Sequence, residues 1–203
     1  MSNYPEIYLL RHGQTEWNLE GRMQGRLDSP LTELGQQQAI TQGNILYSLG
    51  LEGAEITCLA SPQGRAAHTA KLALQKINRT ATSDDRLRET DMGQWQNRLS
   101  SDIRKECSAE LWQDLGPSWY FFNAPDGESF ADHRARCKAL LEDLKCATVL
   151  VTHGITSKVL RGLWLGLEYR DTVLLPGGQG CVYHMKQGAQ HLCNAEFPNG
   201  MPC

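Results

Sequence analysis

The chain has 203 residues, 40% of them hydrophobic, which is enough for one domain with a proper core and short for two. A formal charge of -3 argues against a nucleic-acid or acidic-membrane surface, so any anion site must be local. The opening Met1-Ser2-Asn3-Tyr4-Pro5-Glu6 lacks a signal-peptide pattern and no run approaches a membrane span, which predicts a cytoplasmic protein without a membrane partner. Seven cysteines without a CxxC pair predict scattered reduced thiols, not a disulfide framework or a zinc ribbon.

The first element is the apolar run Ile7-Tyr8-Leu9-Leu10, of the length and content of a buried strand. Thr32 then precedes a stretch with Leu34, Ala39, Leu46 and Leu49 that ends at Gly50, an N-cap and a terminal glycine framing a helix. Residues 56–60 form a second strand-like run, and Ser61-Pro62 reads as N-cap and N1 of a helix reaching roughly Lys76. Ser129 with Asp132 resembles a capping box for a helix to about Lys145. Residues 147–152, with a Val-Leu-Val centre, form a third such strand. A helix over 155–165 follows, with Val159, Leu160, Leu163 and Trp164 inward. Residues 180–185 and 190–194 read as a hairpin around Gly188 that finishes the sheet. Strand followed by helix, repeated, predicts an α/β three-layer sandwich with a mostly parallel central sheet.

Arg11 and His12 fall at the end of the first strand, Arg65 in the first turns of the helix after the second, and His153 at the end of the third. Ligands of open α/β sheets bind at such C-terminal strand ends, so one sheet edge collects all four residues. Two guanidiniums, a second imidazole and a helix N-terminus form an anion cradle suited to a phosphoryl group. An imidazole at such a place, if neutral and held at its far nitrogen, can attack phosphorus. Read alone, Arg11-His12-Gly13 is equally a strand end capping a turn.

The longer pattern decides between the two. The stretch Arg11-His12-Gly13-x-Thr15-Glu16-x-Asn18 is followed by Gly21-Arg22-x-Gln24-Gly25-x-x-Asp28-x-Pro30-Leu31-Thr32-x-x-Gly35. Further on come Ser61-Pro62-x-x-Arg65-Ala66-x-x-Thr69, Leu87-x-Glu89-x-x-x-Gly93-x-Trp95, Pro125-x-Gly127-Glu128-Ser129 and Val151-Thr152-His153-Gly154. In this order the segments resemble the histidine phosphatase superfamily, which includes phosphoglycerate mutases, over residues 7 to about 165.

The resemblance implies one domain over 1–203, with a lid or specificity insertion at about 91–127. It implies that His12 is the nucleophile that becomes a phosphohistidine, that Arg11, Arg65 and His153 grip the phosphoryl group, and that Glu89 is the acid and base. No cofactor or metal is expected, because arginines neutralise the charge that a divalent cation carries elsewhere. Beside a bound phosphate dianion the protonated form of Glu89 is favoured, so it can donate to the leaving oxygen and then activate water. Without the motif, Glu89 would read as a surface carboxylate paired with Arg86 or Arg88. Asn18, Gln24 and Gly25 match substrate-contacting loop positions, though polar loop residues also simply form turns. Arg22 and Arg26 are candidates for a second anionic group or are solvated. His68, His133, His184 and His191 match no such position and read as surface or helix-face residues. The aromatic run Trp119-Tyr120-Phe121-Phe122 reads either as a pocket wall or lid, or as a satellite core.

Within the family, mutases return the phosphoryl group to a sugar acid and phosphatases pass it to water. Mutases of the resembling kind carry a tyrosine where this chain has Met92, a lysine where it has Ser100, and an adjacent arginine pair for which Arg134 and Arg136, separated and in a later helix, are no match. The expectation is a hydrolase, a phosphatase of small phosphorylated metabolites. The alternatives are a cofactor-dependent phosphoglycerate mutase and a protein phosphatase or regulatory module of the same fold. A homodimer stays open.

Overall fold

The computed structural model describes residues 4–106 and 121–194. Its sheet is built from β1 (Ile7–Arg11), β2 (Thr57–Ala60), β3 (Thr82–Ser83), β4 (Thr148–Thr152), β5 (Val182–Lys186) and β6 (Ala189–Cys193), in the spatial order β3-β2-β4-β1-β5-β6. The pairs β1–β4, β2–β4 and β2–β3 are parallel, and β5 and β6 extend the sheet antiparallel. The hairpin between them turns through Gln187 and Gly188, at φ of 51° and 79°, as a tight two-residue turn of right-handed strands requires.

Successive residues of β1 serve opposite faces of the sheet. Ile7 and Leu9 join a core with Leu150, Leu140, Leu141, Val159 and Leu160, beneath α5 (Phe130–Asp143) and α6 (Gly154–Leu165). Tyr8 and Leu10 join Val149, Val151, Leu46, Ala70 and Leu74, beneath α2 (Glu33–Ser48) and α3 (Gly64–Gln75). The period of two in an otherwise apolar strand thus fills both outer interfaces, and the three-layer α/β/α sandwich follows. Short helices α1 (Glu16–Glu20), α4 (Ser100–Glu106) and α7 (Tyr169–Leu174) lie in the connections. Among the described residues, no helix is long and apolar enough to cross a membrane.

Several local expectations change. The helix after β2 begins at Gly64 with Gln63 as N-cap, so Ser61 and Pro62 lie before it. Ser129 does cap α5, accepting from the Asp132 amide at 3.1 Å. The Asp132 carboxylate, however, takes the Ser129 hydroxyl at 2.6 Å, not the cap's backbone, so the reciprocal box does not close. Leu34 of α2 and its C-cap Leu49 are exposed, whereas Ala39 and Leu46 face the core. Trp119 and Tyr120 lie outside the described residues, as does most of the middle of the expected insertion.

Candidate active site

Strand register assembles the site. Arg11 pairs with Thr152, which carries His12 and His153 off the ends of adjacent parallel strands at one level, their ring centroids 5.2 Å apart. Ala60 of β2 pairs with Val151, which puts Ser61 beside them and leads through Gln63 into α3 and Arg65. Glu89 arrives on the loop after β3 and reaches the start of α6. Arg11, His12, Arg65 and Glu89 all line one cavity of about 290 Å³ with Asn18, Gln24 and Gly25.

His12 is 3% exposed, and its two nitrogens have separate tasks. Nδ1 lies 2.8 Å from the Gly13 carbonyl, to which only an N–H can bond. Nε2 receives the Arg65 Nε–H at 3.3 Å, so it presents a lone pair. Burial, then the charges of Arg65 and Arg11, push the ring well below the ordinary imidazole value, with the Gly13 bond opposing. His12 is therefore a neutral imidazole with its outer nitrogen unprotonated.

Arg65 is locked in place. Its guanidinium donates to the carbonyls of Leu27 at 2.6 Å and Gly25 at 2.9 Å, and pairs with Asp28 at 3.0 Å. Asp28 also accepts from the Arg65 amide, filling the α3 N-terminus with a carboxylate of the protein. The N-terminus of α6 is filled as well. Glu89 accepts from the Ile155 amide at 3.1 Å, the Thr156 amide at 3.1 Å and hydroxyl at 3.0 Å, and the Thr90 amide at 3.0 Å. The amides of Arg65, Ile155 and Thr156 are thus taken by carboxylates of the protein, while Gly154 at the start of α6 lines the cavity. Arg86 and Arg88 pair with Asp84, Asp143 and Asp85, not with Glu89.

His153 is fully buried, and its Nε2 lies 2.8 Å from Ser61 Oγ. The Ser61 oxygen also accepts from the Gln63 amide at 3.3 Å, so one hydroxyl joins the start of this connection to His153. Among the described residues, His153 Nδ1 and Arg11 Nε are buried without a hydrogen-bond partner. Burial, followed by the positive charges of Arg65 and the neighbouring site groups, keeps His153 well below the ordinary imidazole value.

The loop residues divide. Asn18 closes a capping box on α1 with Thr15, and its Oδ1 also accepts from Gln179, which in turn donates to the His12 carbonyl. Gln24 is 8% exposed, and among the described residues its Oε1 has no partner. The Gly25 carbonyl receives both Arg65 and Gln63. Arg22 lines the cavity while paired with Glu20, but Arg26 pairs with Glu128 and is not in the lining. Phe121 of the aromatic run does line the wall, whereas Phe122 packs against Phe130, His133 and Tyr169.

His133, expected at the surface or on a helix face, is on α5 but completely buried, with Nδ1 2.8 Å from Thr90 Oγ1 and 3.4 Å from Glu128. Arg136 grips Glu128 at 2.6 and 2.9 Å, so this group backs the loop that carries Glu89. His184 stacks on Tyr8 and bonds Glu6 at 2.5 Å, while His68 and His191 are exposed. Ser61, Gln179 and Lys158 are site neighbours that sequence reasoning missed. Ser61 stood in the quoted motif and was read as a cap, whereas Gln179 and Lys158 carry no local signal.

The histidine phosphatase superfamily (branch 1) model matches residues 7–193. The chain belongs to this superfamily. A probable phosphoglycerate mutase GpmB of Salmonella arizonae is 37% identical over 168 residues, covering 80% of this chain and 75% of that one. Among solved structures, a mycobacterial glucosyl-3-phosphoglycerate phosphatase in complex with VO3 superposes with a TM-score of 0.71 at 30% identity, covering 89% of this chain and 92% of that chain. A protein titled mycobacterial hydrolase 1 gives a TM-score of 0.75 at 30% identity, with 90% and 91% covered.

Proposed function

We propose that this chain is a phosphomonoesterase that works without a metal, through a phosphohistidine, on a small phosphorylated metabolite. The unprotonated Nε2 of His12, in a cavity that the guanidiniums of Arg11 and Arg65 also line and with the His153 ring 5.2 Å from its own, carries the reading. Nε2 attacks phosphorus as the ester P–O bond breaks, and Arg11, Arg65 and His153 hold the phosphoryl oxygens, whose charge they match through the transition state. Glu89, which lines the cavity, gives a proton to the leaving oxygen. In the second half, its carboxylate takes a proton from water, which attacks the phosphohistidine; inorganic phosphate leaves and His12 is restored.

A cavity of about 290 Å³ suits a small substrate. Met92 and Phe121 in the wall support a covering role for the described residues on either side of 107–120. The second reading is a mutase, favoured by the name of the relatives at 37% identity. Met92, 2% exposed in the cavity wall, speaks for hydrolysis, because it supplies no hydroxyl where the resembling mutases carry tyrosine.

The test is turnover of a panel of phosphorylated metabolites in chelator, following inorganic phosphate together with conversion of 3- to 2-phosphoglycerate under a 2,3-bisphosphoglycerate primer. Phosphate release at high kcat/KM from one compound is expected. Isomerisation without release identifies a mutase, and activity seen only with an added divalent ion overturns the metal-free reading.

A further inference from the structure

We propose that Lys158 binds a second anionic group of the substrate, a carboxylate or a further phosphate, one helical turn beyond the phosphoryl cradle. The proposal rests on the reading of Arg11, His12 and Arg65 as the phosphoryl site.

Lys158 lines the same cavity as those residues. It stands four residues after Gly154 on α6, so the two share a helix face. A Cβ on Gly154 would lie 3.3 Å from Arg11 Cζ, which fixes that face toward the Arg11 guanidinium. Four residues of helix rise about 6 Å, the length of a short carbon skeleton between two charged ends. Met23, Met92 and Phe121 supply apolar wall for that skeleton, and the Lys158 ammonium lies 6.0 Å from the Phe121 ring centre.

The charge balance around Lys158 is unusual. Arg65 is neutralised by Asp28, Arg22 by Glu20 and Arg26 by Glu128. Lys158, by contrast, is partly buried, and no described carboxylate lies within salt-bridge distance of it. Among the described residues its Nζ donates one bond, to the Val173 carbonyl at 2.8 Å, out of three it can make. Burial, then the like charges of Arg161 and Arg11, push the ammonium below its ordinary value. Arg161 is itself satisfied by the carbonyls of Ser157 and Pro176 and the Gln190 amide oxygen, none of them anionic. An ammonium held in a cleft among cations is stabilised when an anion enters.

The test compares equilibrium binding of 3-phosphoglycerate with that of glycerol 3-phosphate, which bears a hydroxymethyl group in place of the carboxylate. Isothermal titration in a His12→Ala background prevents turnover from depleting either probe, and the ratio of the two affinities cancels any change at the phosphoryl end. Propane-1,3-diol bisphosphate, run beside them, distinguishes a second phosphate from a carboxylate as the group held. The expected result is a preference of about tenfold or more for one of the doubly anionic probes, as for a hydrogen bond between charged groups. Lys158→Met should reduce this ratio to near one, and Lys158→Arg should retain most of it. No preference in the parent protein, or a preference that Lys158→Met leaves intact, overturns the proposal. If Lys158→Met lowers only the melting temperature, the lysine is a tether between α6 and α7 and the proposal fails. Because binding decides the outcome, absence of phosphatase turnover in the wild-type chain would count against the proposed activity alone.

Discussion

The Nε–H of Arg65 points at Nε2 of His12 across 3.3 Å, so an arginine guards the lone pair that is proposed to attack phosphorus. When a phosphoryl oxygen enters, that N–H has a charged acceptor to prefer, and the lone pair is released toward phosphorus. His12→Ala should therefore lower kcat by at least about a thousandfold, as loss of a covalent nucleophile does. The removed ring leaves the Arg65 guanidinium fastened by Leu27, Asp28 and Gly25, so circular dichroism should show an intact fold. Acid-quenched phosphate transfer to the wild-type chain, absent in the variant, checks the intermediate. A variant with wild-type rates removes His12 from this role.

Glu89→Gln separates proton transfer from binding. The carboxylate accepts bonds at both oxygens, Oε2 from Ile155 and Oε1 from three donors, whereas an amide offers one accepting oxygen. One amide at the start of α6 must then go without its partner, at a cost of about 1–3 kcal/mol that a melting curve would register. Turnover of alkyl phosphates should fall by about 10²–10⁴-fold, the usual worth of a general acid. With p-nitrophenyl phosphate, whose leaving group needs little help, the loss should be smaller by at least an order of magnitude. Equal losses on both substrates exclude Glu89 as proton donor.

The sheet edge was readable because the residues that make it are local: each strand is a short apolar run, and Arg11, His12 and His153 follow directly. What stayed hidden depends on neighbours distant in the chain. Ser61 looks like a helix cap until β2 and β4 are placed in register, when its hydroxyl meets His153. His133 gave no sign of burial, because its partners Thr90 and Glu128 come from other segments. That Asp28 and Glu89 bond amides at two helix ends was equally invisible, because each comes from another segment. Lys158 had no motif around it, and only the shared cavity links it to His12.

Ser61→Ala tests one of these hidden contacts. The hydroxyl joins the Gln63 amide to His153 Nε2, and through that bond it anchors the ring that stands 5.2 Å from His12. Without it, the His153 ring loses this anchor, and kcat should fall by about tenfold, equivalent to about 1.4 kcal/mol of transition-state stabilisation. The conservative variant Ser61→Thr keeps the hydroxyl and should recover most of the rate. If both variants lose stability equally and activity follows stability, Ser61 serves packing only.

Acid should unfold this chain earlier than its carboxylates alone would dictate. His12, His133 and His153 are all held below the ordinary imidazole value of 6.5, in each case by burial first. Between the depressed folded value and the unfolded one, the unfolded chain binds more protons, so stability rises with pH through that window and falls as pH drops below about 6.5. Each unit of depression is worth about 1.36 kcal/mol per histidine, in full only once the pH lies below the folded value. Glu128, which burial pushes up but Arg136 and His133 together hold low, adds a loss in the same direction at a lower pH. Melting temperatures should be level between pH 8 and 7 and decline steadily from pH 6.5 to 5. His12→Asn, which removes one of the three titrations, should make that decline shallower. A melting temperature constant down to pH 5 would mean that these imidazoles take up protons in the folded chain, which is incompatible with an unprotonated His12 beside two guanidiniums.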